Sequence, residues 1–261
     1  MANYKFSISF ALINIPITLN PIIRNNDTSF NQLHKKCLNQ IRYIKYCPHC
    51  KKNIKETDII KGYKLETNNF LTFTKEEIKK LQPQNEKEIE IISFIDLKDV
   101  DPYYFEKSYF LKADGKNKAY ILFCEALKKT KKVALCKTVL GTKFYYAILR
   151  FKENGIIMNT LYFDEEIDIP ENEIKKDIKP KELEMATELI KSLSAKFDPS
   201  KYQDEYQNKI KDAIKDKING EEIKGTKKQS KKQINDLMKA LEASLKESKW
   251  IYGKIHLNQC Y

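Results

Sequence analysis

Three thiols and an imidazole stand at metal-ligand spacing early in the chain, as His34-x2-Cys37, a nine-residue gap, then Cys47-x2-Cys50. Two ligands separated by two residues can be presented to one tetrahedral ion by a single tight turn, so the spacing predicts a structural zinc knuckle. Pro48 falls inside the second pair, where such a turn tolerates a fixed φ. Two points stay open: nine residues is a short gap for a zinc finger, and His49 competes with His34 as fourth ligand. The opposing reading, free thiols with Cys47 and Cys50 as a redox pair, lacks a surrounding βαβ pattern.

The same stretch is basic. Between Thr28 and Lys55 there are seven basic side chains and no acidic one. Lys35, Lys36, Arg42, Lys45, Lys51 and Lys52, with Tyr43 and Tyr46 interleaved, can neutralise phosphates without reading bases, and each contact releases counterions. A lysine run is more often a solvated face, but the absence of acids over 28 residues shifts the reading to DNA. The whole-chain balance, 48 Lys and Arg against 36 Asp and Glu for a net charge of +12, agrees without proving it. Lys, Asn and Ile are abundant throughout, as in proteins of AT-rich genomes.

Catalytic signatures are missing: no Walker loop, no G-x-G-x-x-G, no G-x-S-x-G and no H-E-x-x-H. The three histidines are His34, His49 and His256, two of them in the knuckle. A zinc-dependent nucleic-acid-processing enzyme is the alternative, and it needs an open coordination position and a nearby general base. A plainer one is an interaction scaffold.

The elements that must position the knuckle read as a mixed α+β chain of 261 residues, long enough for a sizeable core. From Lys5 to about Phe163 the pattern is mainly period two with β-branched and aromatic residues. Strands are expected at Phe6–Phe10, Ile89–Ile92, Tyr103–Leu111, Val133–Leu140, Lys143–Phe151 and Ile156–Phe163, joined by turns such as Gly141-Thr142 and Asn154-Gly155. Short strands with short turns predict a barrel or closed mixed sheet. A helix over Lys118–Thr130, apolar at Tyr120, Phe123, Cys124 and Leu127, should lie against it. Thr74 and Glu77 form a capping box for a short helix ending before Pro83. Cys124 and Cys136, in apolar surroundings, read as core fillers. Phe6 to Ile23 carries no charge but alternates and holds two prolines, so it is strand rather than membrane span. With no secretory signal, a reducing, cytoplasmic setting is expected.

Asp164 to Glu173 holds six carboxylates and no basic residue, without calcium-loop spacing, and marks a boundary. After Pro180 a helical stripe runs through Leu183, Ala186, Ile190 and Leu193, and Asp198-Pro199 is expected to restart a helix through Tyr202, Tyr206, Ile210, Ile214 and Ile218. Ile234, Leu237, Met238, Leu241 and Leu245 form a last amphipathic helix, which needs a partner surface. The resulting division is 1–175 for the barrel and its basic knuckle at 28–55, 176–222 for helices, 223–232 for a basic linker and 233–261 for the terminal segment.

Ser7-Ile8-Ser9-Phe10-Ala11-Leu12-Ile13-Asn14-Ile15-Pro16 resembles the opening of the prokaryotic Ku family, as does Phe30-Asn31-Gln32-Leu33-His34-Lys35-Lys36-Cys37. The likeness continues through Ile41-Arg42-Tyr43, Cys47-Pro48-His49-Cys50, Ile60-Lys61-Gly62-Tyr63 and Asp101-Pro102-Tyr103-Tyr104-Phe105. It runs on through Leu189–Leu193 and Phe197–Tyr206, so that it covers residue 5 to about residue 245. Such a resemblance implies a Ku-core-like β-barrel with a bridge over DNA and a C-terminal helical arm. It implies a homodimeric ring on double-stranded DNA ends that protects them and recruits the ATP-dependent ligase D in non-homologous end joining. The knuckle would lie on or near the bridge, residues 180–220 would form the arm, and the terminal helix would engage the ligase. Ala11 stands where the family usually has Gly, a change that costs little if the backbone there is extended. Many relatives carry a long Lys-rich tail where this sequence runs Trp250 to Tyr261, with Lys227, Lys228, Lys231 and Lys232 as partial substitutes.

Overall fold

A computed structural model describes residues 4–66, 69–83, 87–113, 115–172 and 178–223, together with 241 and 244. The chain opens with a hairpin of β1 (Tyr4–Phe10) and β2 (Ile13–Pro21), then leaves on an excursion over residues 22–87. That excursion carries β3 (Tyr46–Cys47), β4 (Lys52–Asn53), β5 (Lys61–Lys64), β6 (Phe70–Phe73) and α1 (Lys75–Leu81). It returns as β7 (Glu88–Ile95) and β8 (Phe105–Ala113), followed by α2 (Lys118–Thr130), β9 (Val133–Leu140), β10 (Lys143–Lys152) and β11 (Gly155–Leu161). Next come α3 (Pro180–Leu193) and α4 (Glu205–Ile218).

Seven strands close into a barrel in the order β1-β2-β8-β11-β10-β9-β7. Neighbours are antiparallel except β1 and β7, whose parallel pairing over Ser7, Ile8 and Ser9 against Glu88, Ile89 and Glu90 seals the ring. Alternation turns one set of side chains inward, and Ile8, Ile15, Ile17, Leu19, Ile89, Leu111, Leu149, Ile156 and Met158 fill the interior. Pro16 sits mid-strand where β8 does not reach, since that pairing begins at Ile17, so its missing N–H breaks no ladder on that side.

Asn117 caps α2 by accepting from the amides of Ala119 and Tyr120, and the four apolar residues read from the sequence are the ones it buries. Tyr120 bolts the helix to the sheet: its hydroxyl donates to the Leu111 carbonyl and accepts from the Ile156 amide at 3.1 Å. Gly155 leaves room for this packing, because a Cβ there would sit 2.6 Å from Phe110 Cζ. Cys124 and Cys136 are buried, and burial raises both thiols above their ordinary pKa. At Ala11 the backbone is not extended but left-handed, with φ +50° in the tight turn between β1 and β2. The condition for a cheap Gly-to-Ala change is therefore not met.

The chain divides into two compact units, Met1–Asn26 with Phe30–Ile169, and Asp27–Ser29 with Pro170–Tyr261. In the second, α3 buries no residue and α4 only Gln207, so Leu183, Ile190, Leu193, Tyr206 and Ile218 of the helical stripes stand exposed. The second helix does not start at Asp198. That residue caps only the turn Pro199–Lys201, and α4 opens at Glu205 because Asp204 accepts from the Gln207 amide. Among the described residues no helix is long and apolar enough to cross a membrane.

Candidate nucleic-acid interface

Among the described residues of the 22–87 excursion none is buried. A stretch of this length without a core must be held by local hydrogen bonds, by ligands or by a partner. Many of its apolar side chains lie open, with Phe30 70% and Tyr43 84% exposed, while Ile54, Ile59, Phe73 and Ile78 are half-buried. Capping is the local device at α1, where Thr74 Oγ1 accepts from the Glu77 amide and Glu77 Oε2 accepts from the Thr74 amide. The Thr74 amide and the Thr74 hydroxyl both donate to Glu77 Oε2, and together they hold the Glu77 carboxyl below its usual range.

The four candidate ligands form two turns of similar construction. In the first, the Leu38 amide donates to the His34 carbonyl at 2.8 Å and His34 Nδ1 lies 3.0 Å from Cys37 Sγ. In the second, β3 pairs with β4 as a two-residue ladder, and the Cys50 amide points at Cys47 Sγ at 3.5 Å. Each pair is followed at once by a left-handed residue, Leu38 at φ +56° and Lys51 at φ +51°. Neither is Gly or Asn, so each turn holds about 1 kcal/mol of backbone strain, a cost that persists where surrounding interactions enforce it. His49 Nδ1 stands 4.0 Å from Cys50 Sγ. Within the second pair, the Cys50 amide and thiol hold Cys47 below the ordinary thiol pKa, while Cys47 pushes Cys50 up.

Among the described residues no group of three or more His, Cys, Asp or Glu side chains is gathered closely enough to hold a metal ion. The donor set of three thiols and an imidazole has the chemistry of a structural zinc site, and both two-residue turns are formed. The two pairs are not brought together.

The basic residues Lys35, Lys36, Arg42, Lys51 and Lys52 are exposed, as are Tyr43 and Tyr46. Two of the DNA candidates, Lys45 and Tyr43, are engaged within the excursion. Lys45 forms an ion pair with Glu56, which lowers the pKa of that carboxyl, and Tyr43 donates its hydroxyl to Gln32 Oε1. Glu56 is the residue that the acid-free run conceals: it lies just past Lys55 in sequence but folds back onto Lys45. A Lys and a Glu eleven residues apart across a loop leave no periodic trace. The left-handed turns were equally hidden, since no glycine marks them. Of the terminal-helix residues, Leu241 is helical and half-buried, whereas Ile234, Leu237, Met238 and Leu245 lie outside the described residues, as do the linker lysines and Trp250 to Tyr261.

The model of the Ku70/Ku80 beta-barrel domain matches residues 9–185. A non-homologous end joining protein Ku of Lachnoclostridium phytofermentans is 38% identical over 250 residues, covering 95% of this chain and 97% of that protein. The protein of the same designation from Desulfitobacterium hafniense is 38% identical over 246 residues, covering 93% of this chain and 86% of its own. That of Bacillus subtilis is 35% identical over 250 residues, covering 93% and 80%. With its closed barrel matched and relatives aligned over nearly their whole length, the chain belongs to the prokaryotic Ku family.

Proposed function

We propose that this protein binds double-stranded DNA ends without sequence preference and serves non-homologous end joining as a non-catalytic component. The observation that carries the reading is the excursion between β2 and β7, whose residues 28–55 hold seven basic side chains and no acidic one and which buries no side chain among its described residues. In this reading two copies close a ring, the excursion forms the bridge over the duplex, and phosphate contacts from Lys35, Lys36, Arg42, Lys51 and Lys52 hold it in place. Lys45 contributes less, because Glu56 already neutralises part of its charge. Tyr43 and Tyr46 offer flat apolar contact beside the lysines.

His34, Cys37, Cys47 and Cys50 would hold a structural zinc ion. Such an ion would tie the two turns together and supply the stiffness that the missing core does not. The exposed stripes of α3 and α4 suit an arm laid on the second copy. The terminal segment with Ile234, Leu237, Met238, Leu241 and Leu245 would recruit ligase D in the cytoplasm, at the nucleoid.

Retention on linear duplex against the same duplex closed into a circle tests the central claim. Strong, salt-sensitive retention on the linear form alone is expected, and equal retention on both rules out threading. Deleting residues 230–250 should leave end binding intact and abolish ligase stimulation.

A further inference from the structure

The outer face of the barrel holds a groove of about 690 Å³ that the end-binding reading does not use. On β10, Ala147 and Leu149 belong to the core cluster, so Arg150 turns to the opposite, outer face. Its Nε donates to Asn159 Oδ1 at 2.9 Å. Asn159 is 6% exposed and spends its Nδ2 on Ser108 Oγ at 2.7 Å. Arg150 is itself half-buried, and no Asp or Glu among the described residues forms an ion pair with it. A cationic guanidinium is thus held against a neutral amide, with the rest of its donor fork available to the groove.

Half-burying an arginine without a counter-anion is unfavourable, and the geometry its fork matches is a carboxylate or a phosphate. The groove distinguishes the two. Leu97, Val100, Pro102 and Phe105 make its walls apolar, and Asp99 and Asp101 flank it, with Lys98 as the only other cation in the lining. Successive phosphates of a nucleic acid would face those aspartates and be repelled. A single carboxylate beside an apolar side chain meets no such opposition. We propose that this groove binds a protein partner through a peptide carboxylate held by Arg150, with the adjoining apolar side chain seated against Pro102 and Phe105.

The test is an NMR titration of the full-length protein with acetyl-leucyl-phenylalanine as the free acid, as its C-terminal amide, and with inorganic phosphate. The free acid should shift the signals of residues 97–105 and Arg150 saturably, and the amide should bind at least about tenfold more weakly, as removal of a charge-assisted pair predicts. Arg150→Met should abolish the response. Asp99→Asn, on a turn outside the barrel sheet, should tighten binding by about twofold by removing a like charge, and it tests the idea even if Arg150→Met fails to fold. Equal binding of acid and amide overturns the proposal, as does preference for phosphate, absence of saturable binding, or weaker binding by Asp99→Asn.

Discussion

The backbone amide of Thr28 donates to Gln207 Oε1 at 2.9 Å, a hydrogen bond that spans 179 residues of sequence and ties Asp27–Ser29 to α4. Gln207 is the one residue α4 buries, and its own amide donates to the cap, Asp204 Oδ1. Replacing it with Leu removes the acceptor and strands a part-buried N–H, at a cost of about 1 kcal/mol. Gln207→Glu keeps an oxygen in place and should lose less. Urea unfolding of the three proteins reads this directly, and an unchanged midpoint for Gln207→Leu would show that the bond contributes nothing.

Ala11 takes a left-handed conformation, at φ +50°, in the turn that joins β1 to β2. A side chain there costs about 1–2 kcal/mol, while glycine returns roughly half of that as extra freedom of the unfolded chain. Ala11→Gly should therefore stabilise the barrel by about 0.5–1 kcal/mol and raise Tm by about 2 °C. A lower Tm would mean the turn draws compensation from packing of the methyl group.

These two sites mark how far the sequence could be read. Local signals carried well: Thr74 with Glu77 located α1, and the spacing of Tyr120, Phe123, Cys124 and Leu127 located α2 and its buried face. The barrel or closed sheet followed from period-two patterning, but the strand pair that seals it did not, because the parallel contact of Ser7, Ile8 and Ser9 with Glu88, Ile89 and Glu90 joins residues about eighty positions apart. Asp198 and Asp204 are equally good caps by type, and only the backbone decides that the long helix belongs to Asp204. At the candidate interface the spacing marked the turns at His34–Cys37 and Cys47–Cys50, though the four side chains are not gathered. The pairing of Lys45 with Glu56 was not, since a loop carries no period.

In the proposed interface that pairing sets Lys45 apart from the other lysines. Neutralising Lys35, Lys36 and Arg42 together should flatten the slope of log K against log salt for duplex binding by roughly 3, about one unit for each phosphate no longer neutralised. Lys45→Ala should change it by clearly less than one unit, because Glu56 already engages that ammonium. If the triple variant keeps the parent slope, these side chains do not touch phosphate.

Tyr104 donates its hydroxyl to Asp164 Oδ1 at 2.8 Å, which pushes its pKa up to about 12 from 10.0. The folded value lies above the unfolded one, so the stabilisation is fully present below pH 10 and is lost as pH rises towards 12. Tyr104→Phe should accordingly be less stable than the parent at pH 8, with the difference shrinking above pH 10. A gap that stays constant across that window would show that the hydroxyl is not the source.

The two knuckle turns make different claims on their histidines. His34 Nδ1 is 3.0 Å from Cys37 Sγ, whereas His49 Nδ1 is 4.0 Å from Cys50 Sγ and adjoins it in sequence, a poor position for sharing one tetrahedral ion. Protein purified without chelator should carry one zinc ion per chain. His34→Ala should lose it, and His49→Ala should retain it. Because the excursion buries no described residue, stripping the metal should leave the barrel's unfolding transition in place while weakening DNA binding. Cys47→Ser with Cys50→Ser should do the same. A chain that is metal-free as purified yet binds DNA ends fully would end the zinc assignment, and loss of metal from His49→Ala alone would move the fourth ligand to the second turn.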